Sequence, residues 1–171
     1  MQAERQPAYP LLYSLQGFQY CDLLLREAER GAWHALLGSS RIEEAQAEDR
    51  SAATSVASCR AVSERAGKTL KWVEAARMDI LSIALDHLTL GRAALYGSVL
   101  ASRCGESAHM SPSSPLGLSA EDQGELTSAA TELDAAVTGL RRAGMQDHLP
   151  RGLLTRAWCS FAEAANHRLL A

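Results

Sequence analysis

Between Ala52 and Val73 the residues Ala52, Val56, Cys59, Ser63, Ala66, Leu70 and Val73 follow one another at alternate steps of four and three, and none carries a charge. That period is one narrow seam of an α-helix, with Glu64, Arg65, Lys68 and Lys71 left for its wet face. The same steps return at Leu126, Ala130, Leu133, Val137 and Leu140, after Ser119 and Asp122 in capping-box spacing and before Gly144 as a stop. Another helix is predicted from Asp79, a side chain suited to an N-cap, with Leu81, Leu85, Leu88, Leu95 and Val99 on one stripe that Arg92 interrupts. From Tyr9 to about Arg30 apolar residues take several faces, Leu11, Leu15, Phe18 and Leu25 on one and Gly17, Cys21, Leu24 and Ala28 on another, so this helix is expected to be packed on more than one side. Pro150 is tolerable only in a first turn, which starts the last helix close to Asp147 and sets Leu154, Trp158, Phe161, Ala165 and Leu169 along one side.

The connections are less regular. The polar stretch GSSRIEEAQAEDRS after Leu37 is either a loop or the exposed start of the next helix. SPSSPLG, with both prolines among serines and glycine, predicts a Ser/Pro/Gly-rich loop over 101–118, long for a helical domain. It divides a single domain, 1–171, into first helices over 8–100 and a last hairpin over 119–171.

Composition agrees with helix. Of 171 residues 47% are hydrophobic and 22% charged, while aromatics are only 5% and Ala and Leu dominate, so the fold class is all-α. A net charge of −3 gives no electrostatic reason to expect nucleic acid or an acidic membrane as partner. No run approaches the ~20 apolar residues that cross a bilayer, and the N-terminus lacks the apolar core of a signal peptide, so a cytoplasmic location is expected. The four cysteines form no C-x-x-C pair and read as small core residues plus one loop thiol, Cys104.

The chemical question is why Asp-His-Leu followed by two residues and a glycine occurs twice, in DHLTLG from Asp86 and in DHLPRG from Asp147. A metal site needs three or four converging ligands, and adjacent helical residues point about 100° apart, so each pair offers one ligand at most. His34, His109 and His167 have no complementary spacing, and GKT at Gly67 lacks the upstream glycine of a phosphate loop. The pair reads as a structural unit copied twice, and the expectation is no catalytic residue, no metal and no cofactor. Arg141, Arg142, Arg151 and Arg156 read as a solvated face at a helix end.

Upstream, Tyr13, Gly17 and Tyr20 share the spacing of His87, Gly91 and Ala94 and of His148, Gly152 and Thr155. In YSLQGFQY, HLTLGRAA and HLPRGLLT this resembles the first helix of a tetratricopeptide repeat, and Ala136, Leu140 and Ala143 match the second-helix pattern. The chain departs from the family in period, since its glycines recur at 74 and 61 residues where the family repeats at about 34. YSLQGFQYCDLLL and LDHLTLGRAALY also look like helical-repeat regions of large bacterial signalling and NTPase-linked proteins. The resemblance implies stacked antiparallel hairpins in a superhelical array of about five to six helices. It implies a non-enzymatic protein–protein interaction module or scaffold, with each histidine where the family packs a large aromatic. The family's inner-face offsets fall on Ser14, Phe18 and Asp22, on Arg92 and Tyr96, and on Leu153 and Arg156. Trp158 joins them, because the last helix has an apolar side that needs cover: either it packs back as a cap or another chain covers it, a protein partner or a second copy in a homodimer. The alternatives are a small-molecule or nucleotide sensor with a pocket between hairpins and, third, a metal-dependent hydrolase using the Asp-His pairs.

Overall fold

The computed structural model describes residues 10–37, 45–106 and 120–167, with side chains over 10–36, 52–102 and 123–165. Five helices account for nearly all of them: α1 Ser14–Leu37, α2 Ala45–Ala75, α3 Ile80–Glu106, α4 Ala120–Ala143 and α5 Leu149–His167. The fold is all-α, with no strand among the described residues.

Helix starts follow local chemistry. Asp79 caps α3, its Oδ1 accepting from the Ser82 backbone N–H at 2.9 Å. Pro150 occupies the first turn of α5, where its missing N–H costs nothing. Gly144 ends α4 with φ +68, a conformation that other L-residues adopt at a cost. The expected loop from residue 101 begins later, because α3 continues to Glu106. The rest of that loop and the Ser119 cap lie outside the described residues, as do the side chains of Cys104 and Asp122. The ambiguous polar stretch is helical from Ala45.

Contacts fix the helix directions. Ala84, Gly91 and Ser98 of α3 meet Gly139, Leu133 and Glu125 of α4, so these two run antiparallel. Asp86 and Gly97 meet Thr69 and Cys59, which sets α2 antiparallel to α3 as well. Ser14 and Gly31 of α1 meet Ser82 and Leu100, so α1 and α3 run the same way. Gly152 and Cys159 of α5 reach Leu140 and Leu126 of α4, which makes α5 co-directional with α3. Thus α1, α3 and α5 run one way with α3 in the middle, and α2 and α4 return in the joints between them.

Helix α3 touches all four others, and its apolar residues are buried nearly all round. On α2 the predicted Cys59, Ala66 and Val73 are buried, but the other row of the seam is Ser55, Val62 and Thr69 in place of Val56, Ser63 and Leu70, so the packed face is turned. Ser55, Cys59, Val62, Ala66, Thr69 and Val73 are buried, while Val56, Ser63 and Leu70 are half-buried. The rotation turns Thr69 inward, where its hydroxyl meets a buried carboxylate of α3. On α4 Leu126, Leu133, Val137 and Leu140 of the predicted seam are buried and Ala130 is half-buried, with Ala129 and Ala136 buried beside them.

The recurrent glycines are places of close approach, each for its own reason. A Cβ on Gly91 would lie 2.6 Å from Leu133 Cγ, one on Gly152 3.2 Å from Leu140 Cδ1, and one on Gly17 2.6 Å from the carbonyl oxygen of Leu12. Gly139 has the same function on α4, where a Cβ would sit 2.7 Å from Ala84 Cβ, whereas Gly67 faces open space.

Gly139→Ala is therefore expected to lower stability by about 1–3 kcal/mol through overpacking. Gly67→Ala is expected to raise it by about 0.5–1 kcal/mol through helix propensity. Urea unfolding of both variants checks the pair, and equal effects at the two sites would contradict the packing described.

Candidate interaction site

Co-directional helices with α3 between them place a row of α1 side chains opposite a row from α5. Phe18, Asp22, Glu29 and Trp33 lie within about 60° of one another on α1 at 100° per residue. Arg92 of α3 rises into the gap and is 0% exposed. Its Nη2 donates to Glu29 Oε2 at 3.0 Å, its Nη1 lies 2.9 Å from Asp22 Oδ1, and its Nε donates to the Tyr96 hydroxyl at 3.2 Å. The Nη1 contact is ionic only, since neither atom is aligned for a hydrogen bond. Arg151 of α5 reaches the same carboxylates, 2.7 Å from Asp22 and 3.5 Å from Glu29.

Two guanidinium groups and two carboxylates make this network neutral. Burial opposes the charge on Arg92, but its pKa is raised, because the Tyr96 oxygen and then the Glu29 and Asp22 carboxylates stabilise the cation. Burial likewise lifts Tyr96, with Glu29 adding to it against Arg92, to about 12, so the phenol is neutral at ordinary pH. Arg92 alone of the four is sealed from water, so the large penalty, typically about 3–5 kcal/mol, attaches to leaving this guanidinium unpaired, and the half-buried Asp22, Glu29 and Arg151 are screened by solvent.

Aromatic contacts continue the row toward the C-terminal ends of α1 and α5. Trp158 stacks on Trp33 with centroids 3.9 Å apart and planes 12° apart, and lies 5.2 Å from Tyr96. At the other end His148 sits edge-on to Phe18 at 5.4 Å.

Several predicted contact residues are thereby relocated. Phe18, Arg92, Tyr96 and Trp158 are buried, so as placed they hold the fold together and present nothing to a partner. Ser14 is half-buried and accepts from Ser82 at 2.8 Å, tying α1 to α3. Asp22 is engaged by both arginines, and Arg156 by Asp134, at 2.6 and 3.3 Å. Leu153 alone of the set is exposed and apolar. Leu154 and Phe161, expected on one side with Trp158, part from it: Trp158 is buried, whereas those two stand 62% and 55% exposed. Leu169 lies outside the described residues. What sequence reasoning missed is Glu29, Trp33 and Arg151 as partners; their only signal was helical spacing from Asp22 and Trp158.

The two Asp-His pairs have different surroundings. Asp86 is buried, its Oδ1 accepting from Thr69 at 2.9 Å and its Oδ2 without a hydrogen-bond partner. Burial lifts its pKa to about 6 against the pull of Thr69, His87 and Arg65. His87 Nδ1 lies 2.6 Å from Glu132 Oε2 on α4. Asp147 is exposed, and His148 packs on Phe18. Among the described residues no group of three or more His, Cys, Asp or Glu could hold a metal. Burial pushes the Cys59 thiol up to about 12 and that of Cys159 to about 11, and raises Cys21 as well, so these thiols stay protonated at neutral pH.

One cavity of about 470 Å³ opens between the start of α3 and the end of α4, floored by Ile80, Ile83 and Ala84 and edged by His87, Thr138 and Arg142. No helix among the described residues is long and apolar enough to cross a membrane. No protein-family model, curated protein or solved structure matches this chain.

The raised Asp86 pKa gives a signed prediction. Between about pH 4 and 6 the folded state holds this proton more tightly than the unfolded chain does, so stability falls as pH rises through that window, by on the order of 3 kcal/mol. Urea midpoints measured from pH 4 to 7 are expected to show this fall in the wild type and to lose it in Asp86→Asn. An identical profile in the two proteins would refute the assignment.

Proposed function

We propose that this chain is a non-enzymatic protein–protein interaction module built from degenerate tetratricopeptide-like hairpins. The observation that carries the reading is the outer face of α5. Pro150, Leu153, Leu154, Ala157, Phe161 and Ala164 are exposed at helical spacing, with only Ser160 among them and no charge. At 1.5 Å per residue this apolar stripe is about 21 Å long. Among the described residues α1 also exposes Tyr20, Leu23 and Leu24, but the α5 stripe is the longer one, and a stripe of this period accepts another of the same kind. The occupant is an amphipathic helix of a protein partner, laid along α5.

Alternating helix direction and the glycine close approaches support the hairpin-repeat reading, because repeat arrays stack neighbouring helices antiparallel and closely. A ligand-sensing role is the second reading, favoured by the cavity between α3 and α4, whose volume suits a small molecule. A thermal shift with nucleotides or metabolites that disappears in Ile83→Trp would support it.

The Leu154→Asp/Phe161→Asp variant is expected to keep its stability within about 0.5 kcal/mol per site, since both side chains face water. Titrating the wild type with a synthetic 18-residue Leu/Ala/Lys amphipathic helix is expected to shift amide resonances of residues 150–164. The double variant should weaken that binding at least tenfold. No saturable binding, or binding that the variant leaves intact, would refute the docking surface. Light scattering gives the remaining discrimination, since a dimer abolished by the same variant makes the occupant a second copy.

A further inference from the structure

Helix α5 is held to α1 by side chains across a gap. The two backbones do not pack as a helix pair, and α5 meets α3 only briefly, most of its backbone contact being with α4. His148, Arg151 and Trp158, at offsets of three and seven, make the crossing to Phe18, to Asp22 and Glu29, and to Trp33. The receiving row on α1 has its own helical period, so the groove formed by α1 and α3 reads a helix by charge at one level and by an aromatic ring two turns further on.

The charge count defines what can sit there. Without α5 the groove holds Asp22, Glu29 and Arg92, one negative charge in excess, and Arg151 is the cation that neutralises it. The aromatic level without Trp158 leaves the faces of Trp33 and Tyr96 uncovered. The α5 fit is also incomplete, because the indole N–H of Trp158 is buried without an acceptor. A helix that supplies one there would bind without that penalty. On its other side α5 is bare, and it joins α4 through a short turn that starts at Gly144 with φ +68.

We propose that the groove between α1 and α3 is a helix-recognition site for an amphipathic helix bearing an arginine and, seven residues on, a tryptophan, and that α5 is its tethered, exchangeable occupant. This surface is separate from the outer stripe of α5, so neither proposal depends on the other.

The test adds a fluorescein-labelled peptide of residues 146–167 to two full-length chains, the wild type and Arg151→Ala/Trp158→Ala. In the variant the tethered helix has lost its anchors, and the peptide is expected to bind it at least tenfold more tightly than it binds wild type. A peptide carrying Arg151→Glu and Trp158→Ala should bind more than tenfold more weakly than the native peptide. A helical, folded variant that binds neither peptide, or both equally, overturns the proposal. Should the variant not fold, native-state hydrogen exchange on the wild type decides. Amides of residues 152–162 are expected to exchange at least tenfold faster than those of 84–100, and equal protection would show that α5 leaves only on global unfolding.

Discussion

A guanidinium sealed from water has to be met by negative charge and by hydrogen-bond acceptors at the places it can reach, and in this chain that demand falls on Arg92 at the middle of the central helix. α3 is surrounded by the other four helices, so the buried Arg92 dictates what its neighbours present. Asp22 and Glu29, seven residues apart on α1, supply the charge, and Tyr96, one turn along α3, supplies the phenol oxygen. Two carboxylates around one guanidinium leave an excess that Arg151 of α5 cancels. The register of α1 against α3 and the seating of α5 are thus set by charge balance, where an apolar interface would tolerate sliding by a turn.

Much of the architecture was legible in the residues. The four-and-three steps mark α2 and α4, Asp79 and Pro150 mark helix starts, and Gly144 marks a stop, because each depends on local chemistry within a few residues. Rotation about the helix axis was not legible. The α2 seam keeps Cys59, Ala66 and Val73 but takes its second row from Ser55, Val62 and Thr69, where Thr69 meets Asp86, a preference created by a carboxylate on another helix. The packed side of α5 is turned likewise, so that Trp158 goes inward while Leu154 and Phe161 do not. A period specifies which residues share a face, and only the neighbouring helices specify where that face points.

The interaction residues show the same division. Arg92 breaks an apolar stripe, and from sequence a charge there reads as an edge or a contact surface. The structure puts it inside, because its counter-charges arrive from α1, more than sixty residues earlier in the chain. The repeated Asp-His-Leu unit divides as well. Its glycines have a shared geometric use in close helix approach, whereas its aspartates and histidines do different things in the two copies, one pair turned toward α2 and α4 and the other at the start of α5. Recurrence in sequence reports the spacing that helix packing requires, and leaves the polar residues free to diverge.

The central claim is that Arg92 and Glu29 are bound to each other through a partly buried contact that locks α1 to α3. A double-mutant cycle with Arg92→Met, Glu29→Gln and the pair, measured by urea unfolding, reads that coupling directly. The account predicts a coupling energy of about 1.5–3 kcal/mol, in the range of hydrogen bonds to charged groups. Effects that add within about 0.5 kcal/mol would contradict it, since additivity is the behaviour of residues that do not touch.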